Sequence, residues 1–285
     1  MKNMDLFTEI EEKYIETNGV KLHTVIIGSG KPLILLHGFP DFWFGWSPVI
    51  YGLKDNFKLI IPDMRGFNLS DKPKGIQKYR IDILIKDIKG LCEHLNLKKF
   101  YLAGHDWGGV VAWVFAENYP GLVKKLAILN APHPKIFQEK LRNDKEQQKA
   151  SFYIFEFLKP DGEKWLYEND YKWLKLAVFG GMVNKKQLSE NDKKRYISAW
   201  SQPGAILGGV NYYRANLNFD ITGIIKVPTL VIHGMKDTAV LSSVLEGLDY
   251  FVKDLKVIHA ENSSHWIIHD EPELIISNFK EFFRE

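Results

Sequence analysis

A chain of 285 residues, 45% hydrophobic and 26% charged, has the composition of a soluble globular protein, with room for one large core plus an insertion or for two domains. A net charge of +3 gives no nucleic-acid footprint, and the short basic runs Lys98-Lys99 and Lys193-Lys194-Arg195 read as solvated faces. One cysteine, Cys92, allows no internal disulfide and reads as a small core residue; with a polar, acidic start and no stretch approaching a membrane span, a cytoplasmic protein without a membrane partner is expected.

The pattern over 14–27 predicts a hairpin turning at Asn18-Gly19. Pro32-Leu33-Ile34-Leu35-Leu36 is a continuous apolar run ending at His37-Gly38, as in a strand covered on both faces. Similar runs recur at 59–61, 100–103, 126–129, 229–232 and 255–258. Helical patterns lie between several of them. Leu84, Ile88, Leu91 and Leu95 share one face, a second helix runs over 107–118, and a last one starts near Pro272 with Leu274, Ile275, Phe279 and Phe282. This alternation predicts an α/β fold with a mostly parallel central sheet flanked by helices. It breaks over 134–219, which is helical in pattern and rich in aromatics. A second helical domain would look the same, but strand pattern returns at Val227, so a helical insertion over the sheet is expected. The organisation is therefore core over 1–133, cap over 134–219 and core again over 220–285.

The segment Phe100-Tyr101-Leu102-Ala103-Gly104-His105-Asp106-Trp107-Gly108-Gly109 reads as strand, sharp turn and helix start. It has the shape of the G-x-S-x-G elbow with Asp106 in the serine place. Glycines suit a strained turn and a close helix-to-strand approach. The helix N-terminus aims N–H groups at Asp106 and is expected to keep its carboxylate ionised.

At these residues the chain resembles the epoxide hydrolases of the α/β-hydrolase superfamily, from about Tyr14 to the C-terminus. His37-Gly38-Phe39-Pro40 is similar to the family's oxyanion loop, and Asp63-Met64-Arg65-Gly66-Phe67-Asn68-Leu69-Ser70-Asp71 to its loop after the fourth strand. The family's usual Gly is replaced by Asn68 in that loop, and by Ser264 before the histidine described next.

A triad of this fold runs nucleophile, acid, histidine. Asp237 and His265 each follow a predicted strand, where α/β sites form. Some relatives place the acid after strand six, but Asn130 stands there. Of nine histidines only His265 has the strand-end position and a following Trp. His23, His94 and His259 read as packing or surface residues, and His37 and His105 as loop shapers. His133 and His233 are expected to border the pocket, and His269 to start the last helix. The N–H groups of Phe39 and Trp107 are the expected oxyanion donors. The resemblance further implies two cap tyrosines acting on the epoxide oxygen, matched by Tyr153 and Tyr213. A phenol with a pKa of about 10 can stabilise a poor alkoxide leaving group.

The expected activity is hydrolysis of a small apolar epoxide by water, with Asp106 as nucleophile. A haloalkane dehalogenase would share the Asp106-Trp107 pair, yet Phe39 has no side-chain N–H for a halide. A haloacetate dehalogenase would want an arginine near the elbow. A ligand receptor on a hydrolase fold is the third alternative. No H-E-x-x-H, C-x-x-C or P-loop is present, and Gly28-Ser29-Gly30 lies in the wrong context for a dinucleotide, so no cofactor or metal is expected.

Overall fold

The computed structural model describes residues 8–185, 188–219, 221 and 223–284. Eight strands form one sheet in the order β1-β2-β4-β3-β5-β6-β7-β8. They are β1 (Glu11–Thr17), β2 (Val20–Ile27), β3 (Lys31–Leu36), β4 (Phe57–Pro62), β5 (Phe100–His105), β6 (Val123–Leu129), β7 (Thr229–Gly234) and β8 (Leu255–Ala260). The β1–β2 hairpin is antiparallel and β2 runs antiparallel to β4, whereas all other pairings are parallel. Asn18 and Gly19 both take positive φ, of 45° and 74°, as a tight two-residue hairpin turn requires.

Leu33, Ile34, Leu35 and Leu36 of β3 are completely buried, because helices cover both faces of a parallel sheet. The chain winds from β3 out to β4 and returns to β5 on the other side of β3. That reversal opens a crevice at the strands' C-terminal ends, where β3 delivers the loop beginning at His37 and β5 delivers Asp106. Helix Ile81–His94 buries Leu84, Ile88 and Leu91, and also Cys92, whose thiol burial pushes far above its ordinary range.

Between β6 and β7 the described residues contain helices and no strand. These are Pro134–Asn143, Lys145–Ala150, Phe152–Leu158, Lys164–Lys175, the π-helical turn Leu176–Gly180, Glu190–Trp200 and Ala205–Ala215. Helix Lys164–Lys175 is interrupted by left-handed residues Asn169, Asp170 and Tyr171. The predicted return to the core at 220 falls partly outside the described residues, at Asp220 and Thr222. The strand run expected over 229–232 extends to Gly234.

One placement near the C-terminus differs from expectation. His269 belongs to a short separate helix, Ile267–Asp270, and the last helix begins at Pro272. Proline has no N–H to continue a preceding helix but suits a first helical position, so the break falls there.

Candidate active site

Close packing holds the elbow. A Cβ on Gly104 would meet the Gly108 carbonyl oxygen at 2.3 Å, and one on Gly108 would meet the Leu36 carbonyl oxygen at 2.2 Å. Helix Trp107–Asn118 therefore starts almost against the sheet. Asp106 sits at its head with φ 51° and ψ −125°. A non-glycine residue in that region carries strain of about 1–3 kcal/mol, sustained only by the surrounding packing.

The Phe39 N–H donates to Asp106 Oδ1 at 2.8 Å. Gly38 leaves room for this contact, since a Cβ there would lie 2.0 Å from the same oxygen. Asp106 Oδ2 lies 3.6 Å from His265 Nε2. On its other side the His265 ring bonds through Nδ1 to Asp237 Oδ2 at 2.8 Å. Asp237 accepts from Asn130 Nδ2 at 2.7 Å and from the N–H groups of Ala239 and Val240 at 2.8 and 2.9 Å. The structure thus brings Asp106, His265 and Asp237 into one line, with the Phe39 N–H at one end.

Charges along this line are set by burial on one side and by neighbouring charges and hydrogen bonds on the other. Burial pushes the Asp237 carboxyl up, but the His265 cation and the hydrogen bonds from His265 and Asn130 overcome it and hold Asp237 at about 2. Burial lowers the His265 ring, while Asp237 and then Asp106 raise it, and the ring ends at about 9. Asp106 behaves otherwise. Burial raises its carboxyl above the ordinary range, against the His265 cation and the N–H groups of Trp107 and Phe39. The N–H groups at the helix start favour the ionised form, and desolvation works against them.

Asn130 stands where some relatives carry the acid, and its amide cannot take that role. It is instead a two-sided prop. It takes a positive φ of 40°, donates to Asp237 and accepts from the Gly234 N–H at 3.0 Å. Asn68, standing for the family's glycine, also takes a positive φ, 38°, and donates to Asp63 at 2.8 Å. Ser264, the second departure, is held by Asp270, which accepts from its N–H at 2.8 Å and from its hydroxyl at 2.6 Å.

Tyr153 of helix Phe152–Leu158 and Tyr213 of helix Ala205–Ala215 face each other with ring centres 6.0 Å apart. Burial, and then the nearby Asp106 charge, raises both phenols far above their ordinary range, so both stand protonated. The Trp107 indole lies edge-on to Tyr213, with ring centres 5.1 Å apart. A cavity lined by Trp107, Val110, Phe137 and Leu141, and another lined by Phe39, Trp173, His265 and Trp266, both reach Asp106, Tyr153 and Tyr213. The three residues stand where the two spaces meet.

The remaining histidines do other things. His105 Nε2 bonds the His265 carbonyl at 2.8 Å, and burial lowers this ring to about 3, so it stays neutral and donates. His37 donates from Nδ1 to the Gly38 carbonyl at 2.9 Å and accepts the Met64 N–H at Nε2. Neither His133 nor His233 lines either cavity, contrary to expectation. His133 turns away to the Gly223 carbonyl and stacks on Phe251 at 4.5 Å, and His233 turns to the Val240 carbonyl, because each buried ring N–H needs an acceptor. Among the described residues no group of His, Cys, Asp and Glu could hold a metal ion, and no helix is long and apolar enough to cross a membrane.

The fold and site together define a hydrolase with a carboxylate at the nucleophile elbow, and the α/β-hydrolase fold pattern matches residues 31–272. A protein of that superfamily from Bacillus subtilis is 37% identical, over 95% of this chain and 97% of its own length. Mouse epoxide hydrolase 4 is 35% identical, over 95% of this chain and 78% of its own. The crystal structure of a Bacillus megaterium epoxide hydrolase bound to an inhibitor superposes with a TM-score of 0.91 at 33% identity, covering 96% of this chain and all of that one. The chain belongs to the epoxide hydrolase family of the α/β-hydrolase superfamily.

Proposed function

We propose that this enzyme converts a small apolar epoxide and water to a vicinal diol through an ester on Asp106. One observation carries the reading: an elbow carboxylate whose Oδ1 accepts the Phe39 N–H and whose Oδ2 faces His265 Nε2 at 3.6 Å. Residues 134–219 act as the cap, bringing the two phenols over that carboxylate, and the work is done in the cytoplasm.

In the first step Oδ2 attacks an epoxide carbon and the carbon–oxygen bond breaks. The oxygen takes a proton from Tyr153 or Tyr213, both of which stand protonated in the free enzyme. Esterification removes the Asp106 charge, one of the charges that raise the His265 ring. The ring can then give up its proton, which returns to the tyrosinate, and becomes a base. In the second step water adds to the ester carbonyl carbon and loses a proton to His265, while charge collects on Oδ1 against Phe39 and Trp107. Collapse breaks the bond from the carboxyl carbon to Oδ2, and that oxygen takes the proton held by His265, which then accepts the remaining proton of the new carboxyl group, so that Asp106 is again a carboxylate and His265 a cation. The diol leaves carrying Oδ2, and Asp106 keeps one oxygen from water.

A single turnover in heavy-oxygen water tests this. The first diol released is expected to contain ordinary oxygen from Asp106, and solvent oxygen in that first diol would overturn the mechanism. His265→Gln is expected to gain one substrate mass from styrene oxide and hold it, read by intact-protein mass spectrometry. An adduct from 1-chlorobutane with release of chloride, and none from styrene oxide, would assign the site to haloalkanes instead.

A further inference from the structure

The donor that meets Asp106 Oδ1 lies on a loop that the cap holds from two sides. Trp200, the last residue of helix Glu190–Trp200, donates its indole N–H to the Pro40 carbonyl at 2.7 Å, across 160 residues of sequence and out of contact with solvent. Pro40 follows directly on Phe39. One turn earlier on the same helix, the Tyr196 phenol lies beside the carboxyl of Asp41, close enough to favour its charged form, and meets His269 Nε2 at 3.2 Å. Trp200, Tyr196 and Asp41 are all buried. From the other side, Gly209 of helix Ala205–Ala215 presses on the Phe39 ring so closely that a Cβ there would lie 2.2 Å from it. Within the core the loop is tied locally, by His37 to the Gly38 carbonyl, by the Asp41 N–H to the same carbonyl and by the Phe42 N–H to Asp41 Oδ1, and over longer range by the Met64 N–H to His37 Nε2 and the Trp43 N–H to Asp63 Oδ1.

We infer that Trp200, supported by Tyr196, is a positioning residue that sets the aim of the Phe39 N–H and thereby governs hydrolysis of the ester but not its formation. This rests on the covalent mechanism proposed above. The physical argument lies in where charge goes in each step. During alkylation negative charge leaves Asp106, so a hydrogen bond to Oδ1 stabilises the starting carboxylate at least as well as the transition state and does not speed the step. During hydrolysis charge appears on Oδ1, so the same donor stabilises the transition state, and a displacement of a few tenths of an ångström weakens it. Removing the indole N–H leaves a buried carbonyl without its partner. The loop then relaxes toward another donor, and Phe39 moves with it.

The test is a pair of variants, Trp200→Phe and Tyr196→Phe, followed through one turnover of styrene oxide by rapid quench and intact-protein mass. Trp200→Phe is expected to lower the hydrolysis rate constant about ten-fold, a fraction of the loss seen when an oxyanion donor is deleted. Alkylation is expected to stay within about two-fold, so that the alkyl-enzyme accumulates. Tyr196→Phe is expected to shift the same ratio in the same direction by less. A residue that only supports the fold would slow both steps together. Parallel loss in both, or no change in either, overturns the proposal, and Tyr196→Phe is read by the same criterion should Trp200→Phe fail to fold. A wild-type enzyme that never gains substrate mass, even as His265→Gln, would instead overturn the covalent mechanism itself.

Discussion

The loops after β5 and after β7 each bring an aspartate to His265, and they treat its charge in opposite ways. Asp237 accepts hydrogen bonds from His265, Asn130 and two backbone N–H groups and is held at about 2. Asp106 is raised by burial, although the Phe39 and Trp107 N–H groups and the His265 cation pull it down. One carboxylate is a fixed anion. The other is an anion kept in a place that does not favour it, with Oδ2 facing the His265 ring at 3.6 Å. In the proposed mechanism the same side chain becomes an orienting group or a nucleophile according to how many donors its loop supplies and what covers it.

Swapping each carboxylate for its amide breaks the comparison most severely. Asp106→Asn is expected to abolish turnover and the mass adduct alike. Asp237→Asn is expected to retain alkylation while hydrolysis falls by about 10^2–10^4, since an amide there favours the wrong ring tautomer. Equal losses in both steps for both variants would show that the two aspartates do not divide the work in this way.

A pH series sharpens it. In the free enzyme the His265 ring titrates at about 9, with Asp237 and Asp106 as its supporting charges. In the alkyl-enzyme the Asp106 charge is gone, so ester hydrolysis is expected to rise with pH around a midpoint below 9. Stability carries the matching sign. Folding raises the ring from 6.5 to about 9, so its ion pairs stabilise fully below pH 6.5 and that contribution is lost as pH climbs through 9. Denaturant melts of wild type and Asp237→Asn across that range are expected to differ in slope. A single midpoint shared by free and alkylated enzyme would contradict the coupling to Asp106.

The smallest expected effect concerns the donors themselves. Asn130→Ala removes one bond to Asp237 and leaves the buried Gly234 N–H without its acceptor. A loss of about 1–3 kcal/mol in unfolding free energy is expected from equilibrium denaturation. Ester hydrolysis is expected to fall only modestly, because the two N–H groups from Ala239 and Val240 remain on Asp237.

Contiguous windows of sequence determined the parts of this protein that local physics controls. The apolar run ending at His37, the strand–turn–helix at Asp106 and the hairpin at Asn18-Gly19 are legible because strand burial, glycine contacts and turn geometry act over a few neighbouring residues. Asp237 and His265 could be ranked from sequence because strand-end position marks where this fold builds sites. Tertiary structure alone decided the rest. Nothing near Asn130 in sequence signals its bonds to Asp237 and Gly234, over 100 residues away. Nothing near Trp200 signals that its indole ends on Pro40, and nothing at His133 or His233 shows which carbonyl draws the ring away from the cavities. The charge of Asp106 belongs with these. A helix N-terminus is visible in one window of sequence, but desolvation depends on which distant side chains close over the carboxylate, and those arrive only when the chain between β6 and β7 folds back across the sheet.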